Sequence, residues 1–181
     1  MGDLNINKQC NNSRLRFKQG LVHKDYMNHL FLLFSSYSNM KELKFYENHD
    51  KRTNKVYTSI VFNTYALPCF NYYYYLFYQD KVKIIPKNIM DLLTDKGLAY
   101  WIMDDGTFSK RDDVVTLCTD SYLESDVENL ILVLSKKFEL DCYKVKKNNN
   151  FRIVIKKSSL DKLRELVLPH FHKSMFYKLG L

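Results

Sequence analysis

Apolar and polar residues alternate with a period of two along Arg14-Leu-Arg-Phe-Lys18. This predicts a strand with Arg14, Arg16 and Lys18 on one face and Leu15 and Phe17 on the other. From His23 to Tyr37 the period becomes helical: Tyr26, Leu30, Phe34 and Tyr37 recur on one side, and Met27, Phe31 and Leu33 widen the stripe. Lys44 to Thr64 reads as two strands around the polar tip Asp50-Lys-Arg-Thr-Asn-Lys55, the second rich in β-branched residues. Pro68 precedes "CFNYYYYLFY", which predicts a short buried helix, and Pro86 opens a connector, "KNIMDLLTDKG".

The same order then recurs. Asp113 to Cys118 reads as a strand, and Ser125-Asp-Val-Glu128 has the form of a capping box for a helix with Val127, Leu130, Ile131, Leu134 and Phe138 on one side. Cys142 to Lys147 and Phe151 to Lys156 flank Asn148-Asn-Asn150 as a hairpin. Phe151, Ile153 and Ile155 share one face, Arg152 and Lys156 take the other, and Lys144 and Lys146 are expected to join that positive face. Leu160, Leu163, Leu166 and Val167 close the series with a short amphipathic helix. Two degenerate copies of one strand, helix, hairpin, helix unit are therefore expected.

Composition narrows the chemistry. A chain of 181 residues with net charge +8 favours a polyanionic partner, nucleic acid first. No apolar run approaches the roughly 18 residues of a membrane span, and Met1-Gly2-Asp3 opens with neither a signal peptide nor an Arg-rich leader. The expected home is the cytosol or an organelle that makes the protein itself. Cys10, Cys69, Cys118 and Cys142 form no CxxC pair and read as reduced thiols. His170 and His172 lack the cysteine partners of a zinc site.

The stretch "LAYWIMDDGTF", residues 98 to 108, stands apart. As a helix C-terminus it places two carboxylates at the negative end of the helix dipole, unfavourable by roughly 0.3–1 kcal/mol each, with Gly106 as a left-handed stop. A divalent cation would offset that cost, and Mg²⁺ takes a few hard oxygen ligands while keeping several waters. A solvated turn is the other reading, because Asp-Asp-Gly is also good loop chemistry.

"LAYWIMDDG" resembles the second motif of the LAGLIDADG homing endonucleases, with Asp105 at the motif's eighth position, and "MGDLNI" resembles the tail of the first. The resemblance continues through "RLRFKQG", "HKDYMNHLFLLFSSY", "IIPKNIMDLLTDKGLAYWIMDDG" and "HFHKSMFYKLGL". It is strongest to the single-chain, two-repeat members encoded in mitochondrial group I introns.

That resemblance implies an α+β fold of two pseudo-symmetric αββαββα-like repeats, residues 1–93 and 94–181, whose antiparallel sheets form a saddle over double-stranded DNA. It implies Mg²⁺ held by Asp3 and Asp105, with Asp104 beside the site. Lys83 and Lys178 match residues that tune the water network; residue chemistry alone also allows an ordinary surface lysine at each. Arg14, Arg16, Lys18, Lys144, Lys146, Arg152 and Lys156 would face the major groove, with Lys51, Arg52 and Lys55 at a hairpin tip, most of them positioning phosphates rather than reading bases. The implied protein is a mitochondrial monomer with an internal pseudo-two-fold. Abundant Asn, Lys, Tyr and Ile suit an A+T-biased genome.

The chain departs from the pattern at its start. Roughly two helical turns should precede the first acid, yet only Met1 and Gly2 do, and Leu4 replaces a small residue. Translation from an upstream exon, a different true start, or loss of cleavage would each account for this. A second function therefore stays open: an intron RNA maturase, or a structural RNA-binding protein on an organellar ribosome, descended from such a nuclease.

Overall fold

A computed structural model describes residues 3–6 and 10–181. The chain divides between Leu76 and Phe77 into two compact units.

The first unit runs ββαββα. Strands β1 (Asp3–Ile6), β2 (Ser13–Gly20), β3 (Lys44–Asp50) and β4 (Lys55–Asn63) form an antiparallel sheet in the order β1-β2-β4-β3. Helix α1 (Lys24–Leu33) packs on it through Tyr26, Met27 and Leu30, and a 3-10 turn at Ser35–Tyr37 completes the expected helical stretch. Leu33 and Tyr37 lie outside the buried stripe. Phe17 stacks on Phe62 at 4.5 Å between centroids, so the apolar face of β2 meets that of β4 beneath α1. Helix α2 (Pro68–Phe77) forms where the tyrosine run predicts one, but it is not a buried helix: Phe70 and Tyr74 face inward while Tyr72, Tyr73 and Tyr75 are exposed.

The second unit opens with a short hairpin, β5 (Tyr78–Gln79) and β6 (Val82–Lys83), and helix α3 (Ile89–Leu92). From there it runs αββαββα: α4 (Asp95–Asp105), β7 (Gly106–Ser109), β8 (Val114–Leu117), α5 (Glu124–Phe138), β9 (Cys142–Lys147), β10 (Asn150–Ile155) and α6 (Leu160–Val167). Its sheet order, β7-β8-β10-β9, repeats that of the first unit. Because α3 packs against α5, the segment before α4 belongs by compactness to this unit, while the motif repeat itself begins at α4.

Three local expectations are corrected. Each sheet has a fourth strand, β1 or β7, too short to show a period of its own. No capping box starts α5: its first residue is Glu124, preceded by Leu123, and Glu124 and Glu128 are engaged instead by Lys144 from β9. Gly106 is extended (φ −80°, ψ 150°), not left-handed. Glycine is required there because a Cβ would come within 2.5 Å of the Ile102 carbonyl as helix gives way to strand.

Candidate active site and nucleic-acid interface

Thr94 caps α4 by accepting from the Gly97 amide at 3.1 Å, and the helix then buries Leu98, Ala99, Trp101, Ile102 and Met103. An apolar helix of this kind is anchored by packing all round, which fixes where its last residue emerges. That residue is Asp105, half-buried, and its carbonyl accepts from the Cys118 amide at 3.1 Å.

Lys178 comes to this helix end from a 3-10 turn, Lys173–Leu179, near the end of the chain. Its Nζ donates to the carbonyls of Met103 at 2.5 Å and Asp104 at 3.0 Å. The side chain is buried; burial pulls its pKa below the ordinary lysine value, while Asp104 and Asp105 act in the opposite sense. A cation here satisfies orphan carbonyls and complements the negative end of the dipole. The cost of ending α4 in two carboxylates is thus met within the chain.

Lys83 reaches the same neighbourhood. Its Nζ lies 5.9 Å from the Tyr78 ring centre, and the half-buried Tyr122 hydroxyl feels Lys83, Asp105, Tyr78 and Asp126 together. Desolvation raises the Tyr122 pKa, Lys83 opposes the rise and Asp105 adds to it. The second unit therefore gathers Asp105, Lys178, Lys83, Tyr78 and Tyr122. The two tyrosines carried no sequence signal, being two among 14.

Asp3 occupies the equivalent place in the first unit. It pairs with Arg16 and Leu4 with Leu15; a constant shift along the chain brings these onto Asp105 with Cys118 and Gly106 with Leu117. Met1 and Gly2, where the first motif would continue upstream, lie outside the described residues.

The donors available at these two positions are carboxylate oxygens, and no group of three or more His, Cys, Asp or Glu forms a metal site among the described residues. Such a donor set suits Mg²⁺, which takes one or two carboxylates and completes its shell with water and substrate phosphate.

The sheet faces sort the predicted basic residues. On β2, Arg14, Arg16 and Lys18 are exposed opposite the α1 side, as the alternation predicts, and they make no ion pair among the described residues. Register places Asn5, Asn63, Lys44 and Tyr46 on the same face. Lys51, Arg52 and Lys55 are exposed around the β3-β4 turn, which the Asp50 carboxylate tightens by accepting from the Arg52 amide and the Thr53 hydroxyl, both at 2.9 Å. Those bonds hold the Asp50 carboxyl below the usual carboxylate range.

In the second unit the expected positive face is only partly correct. Lys144 pairs across the strands with Ile153 and Lys146 with Phe151, and Ile153 is buried under α5. Lys144 and Lys146 therefore occupy the helix-covered side, where Lys144 bonds Glu124 and Glu128. Basic character does not put the hairpin's cations on one face; the antiparallel register decides the faces. Arg152 does lie on the other side, opposite Val145, and is bound by Asp120. Lys156 also lies there, 6.0 Å from the Tyr143 ring centre and 2.9 Å from the Asp141 carboxylate.

Comparison with known proteins agrees with this architecture. The chain is 31% identical over 186 aligned positions to a probable intron-encoded endonuclease 1 of Wickerhamomyces canadensis, covering 99% of this chain and 79% of that protein. It is 30% identical to the cytochrome b mRNA maturase bI2 of Saccharomyces cerevisiae, over 93% of this chain but 42% of the maturase. Among solved structures, the homing endonuclease I-WcaI bound to its DNA recognition sequence matches with a TM-score of 0.89 and 27% identity, over 98% of this chain and 80% of that one. Residues 1–163 match the LAGLIDADG DNA endonuclease family as a whole. With the αββαββα order, the repeated register of Asp3 and Asp105 and this match, the chain belongs to the LAGLIDADG DNA endonuclease family.

Proposed function

We propose that the protein is a site-specific endonuclease that cuts both strands of a DNA duplex, with Mg²⁺ held at Asp3 in the first unit and at Asp105 in the second. The observation that carries this reading is the Asp105 cluster: a carboxylate at a fixed helix end, a buried cation bonded to that end, and a second lysine beside a half-buried tyrosine. Mg²⁺ bound there would supply an activated water and neutralise charge on the leaving oxygen.

The chain's own groups do the rest. Lys178 holds the Met103 and Asp104 carbonyls, so the Asp105 carboxylate keeps one direction as a phosphate approaches. It acts as a positioning residue. Lys83 brings positive charge to the same side, where a phosphodiester gains negative charge on reaction. Tyr122 lies close enough to Lys83 and Asp105 to feel both charges, and its desolvated hydroxyl stays protonated and able to donate on that side. The exposed cations of β2 and of the β3-β4 turn bind the backbone of the duplex.

The test is to incubate the purified chain with Mg²⁺ and fragments of organellar DNA lacking its intron, then map the ends by sequencing. Wild type should produce recurrent double-strand ends at one sequence; Asp105→Asn should produce none while still retarding that fragment in a gel. Random ends, or cutting retained by Asp105→Asn, would overturn the assignment.

The likeness to a cytochrome b mRNA maturase favours one alternative, an intron RNA partner for the same basic faces. Copurification of one intron RNA that persists at high salt, with no DNA cut, would establish it. Both readings place the protein in a mitochondrion as a monomer.

A further inference from the structure

The two sheets offer different chemistry on the faces turned away from their helices. On the first, Arg14, Arg16 and Lys18 extend without ion-pair partners among the described residues. On the second, Val114, Thr116, Val145 and Val154 share the face with Lys147, Arg152 and Lys156, and the arginine is held by a carboxylate. Asp120 accepts from Arg152 Nε at 2.7 Å and from Nη2 through its other oxygen.

The support beneath this pair is itself fixed. Thr119, fully buried, donates its hydroxyl to the Phe151 carbonyl at 2.6 Å, locking the residue before Asp120 to the residue before Arg152. Asp120 therefore approaches Arg152 from a tethered backbone.

A guanidinium has five N–H donors on three edges. Asp120 uses the Nε/Nη2 edge and the Cys118 thiol adds a weaker contact; among the described residues no oxygen or nitrogen acceptor takes the end formed by Nη1 and the second Nη2 hydrogen, and the side chain is 23% exposed. Those two parallel donors match the O6 and N7 acceptors that guanine presents in the major groove. The same pairing makes Arg152 a poor phosphate clamp, because its charge is already neutralised and its reach is fixed. A backbone contact needs a mobile cation; a base contact needs an oriented fork.

We propose that Arg152, oriented by Asp120, reads a single guanine through the major groove in the half-site facing the second unit. This rests on the duplex-DNA reading above and names a specificity determinant within it. Leu117 pairs with both Gly106 and Ile153, so Arg152 stands two strands across from the Asp105 end of β7. The guanine accordingly belongs among the base pairs nearest the cut.

The experiment is selection of random-sequence duplexes by the full chain without divalent cation, followed by sequencing, for wild type, Arg152→Ala, Arg152→Lys and Asp120→Ala. Wild type should select guanine at a position close to the centre. Arg152→Ala should reduce that preference by about 5- to 100-fold and leave the other positions unchanged. Arg152→Lys keeps the charge but lacks the fork, and should lose the same preference.

Asp120→Ala should relax the same position while freeing a cation, so the log–log slope of affinity against salt steepens by about one. A purely structural role would instead weaken every position evenly. If wild type selects duplexes but the guanine survives Arg152→Ala, the assignment of Arg152 is wrong and the DNA reading stands. If wild type selects no duplex, the DNA reading falls and this proposal with it.

Discussion

Lys178 resolves the problem that two aspartates create at the end of α4. Nothing basic is adjacent in sequence, and the compensating ammonium arrives from 74 residues away to bond the Asp104 carbonyl. Lys178→Met should remove the ammonium that bonds the Met103 and Asp104 carbonyls, costing about 1–3 kcal/mol in denaturant titration. It should also reduce cutting far more than DNA binding, measured by single-turnover cleavage beside gel retardation. At Gly106 a methyl group would press on the Ile102 carbonyl, so Gly106→Ala should lower stability by about 1–3 kcal/mol in the same titration. Asp120 has a pH signature: Arg152 depresses its carboxyl pKa in the folded state, so its stabilisation is present above the unfolded value of 3.8 and is lost as pH falls through the folded one. Asp120→Asn should cost about 1 kcal/mol at pH 7 and progressively less toward pH 2, read from urea melts across that range. Of these residues, Asp105 and Arg152 were legible as chemistry in the sequence. Lys178 was named through the family resemblance, but its bonds to the end of α4 were not, and Asp120 was missed altogether, because side-chain contacts between distant segments leave no periodic trace.

Among the elements, α5 and β9 show how register overrides composition. The run Cys142 to Lys147 alternates, but alternation alone does not say which alternate is covered; pairing of Ile153 with Lys144 decides it. Lys144→Gln should therefore loosen the contact with Glu124 and Glu128 and lower the melting temperature slightly, while the salt dependence of DNA binding stays the same. Arg16→Gln, on the open face of β2, should reduce that salt slope by about one. Equal slopes for the two variants would contradict the assignment of faces. The hairpins and amphipathic helices were legible because each carries one full period of burial. Strands β1 and β7, at four residues each, were not. The tyrosine helix α2 kept its predicted place but not its burial, since only Phe70 and Tyr74 turn inward.

For the whole molecule, a charge of +8 makes affinity an electrostatic matter. If Arg14, Arg16, Lys18, Lys51, Arg52 and Lys55 each neutralise a phosphate, binding should weaken by about a thousand-fold between 50 and 200 mM salt. Fluorescence anisotropy on a bound duplex measures this directly, and a flat response would remove these cations from the interface. The repeated order of strand, helix, hairpin and helix was determined by the sequence alone, because hydrophobic period and chain order are local properties that any fold of this chain must respect, and the family resemblance of the acidic motif supplied the α+β class. Tertiary structure decided which acceptor each cation meets. It placed Lys178 on the end of α4, bound Arg152 to Asp120 and turned Lys144 toward α5, because those outcomes depend on register and on the return of distant segments to one place.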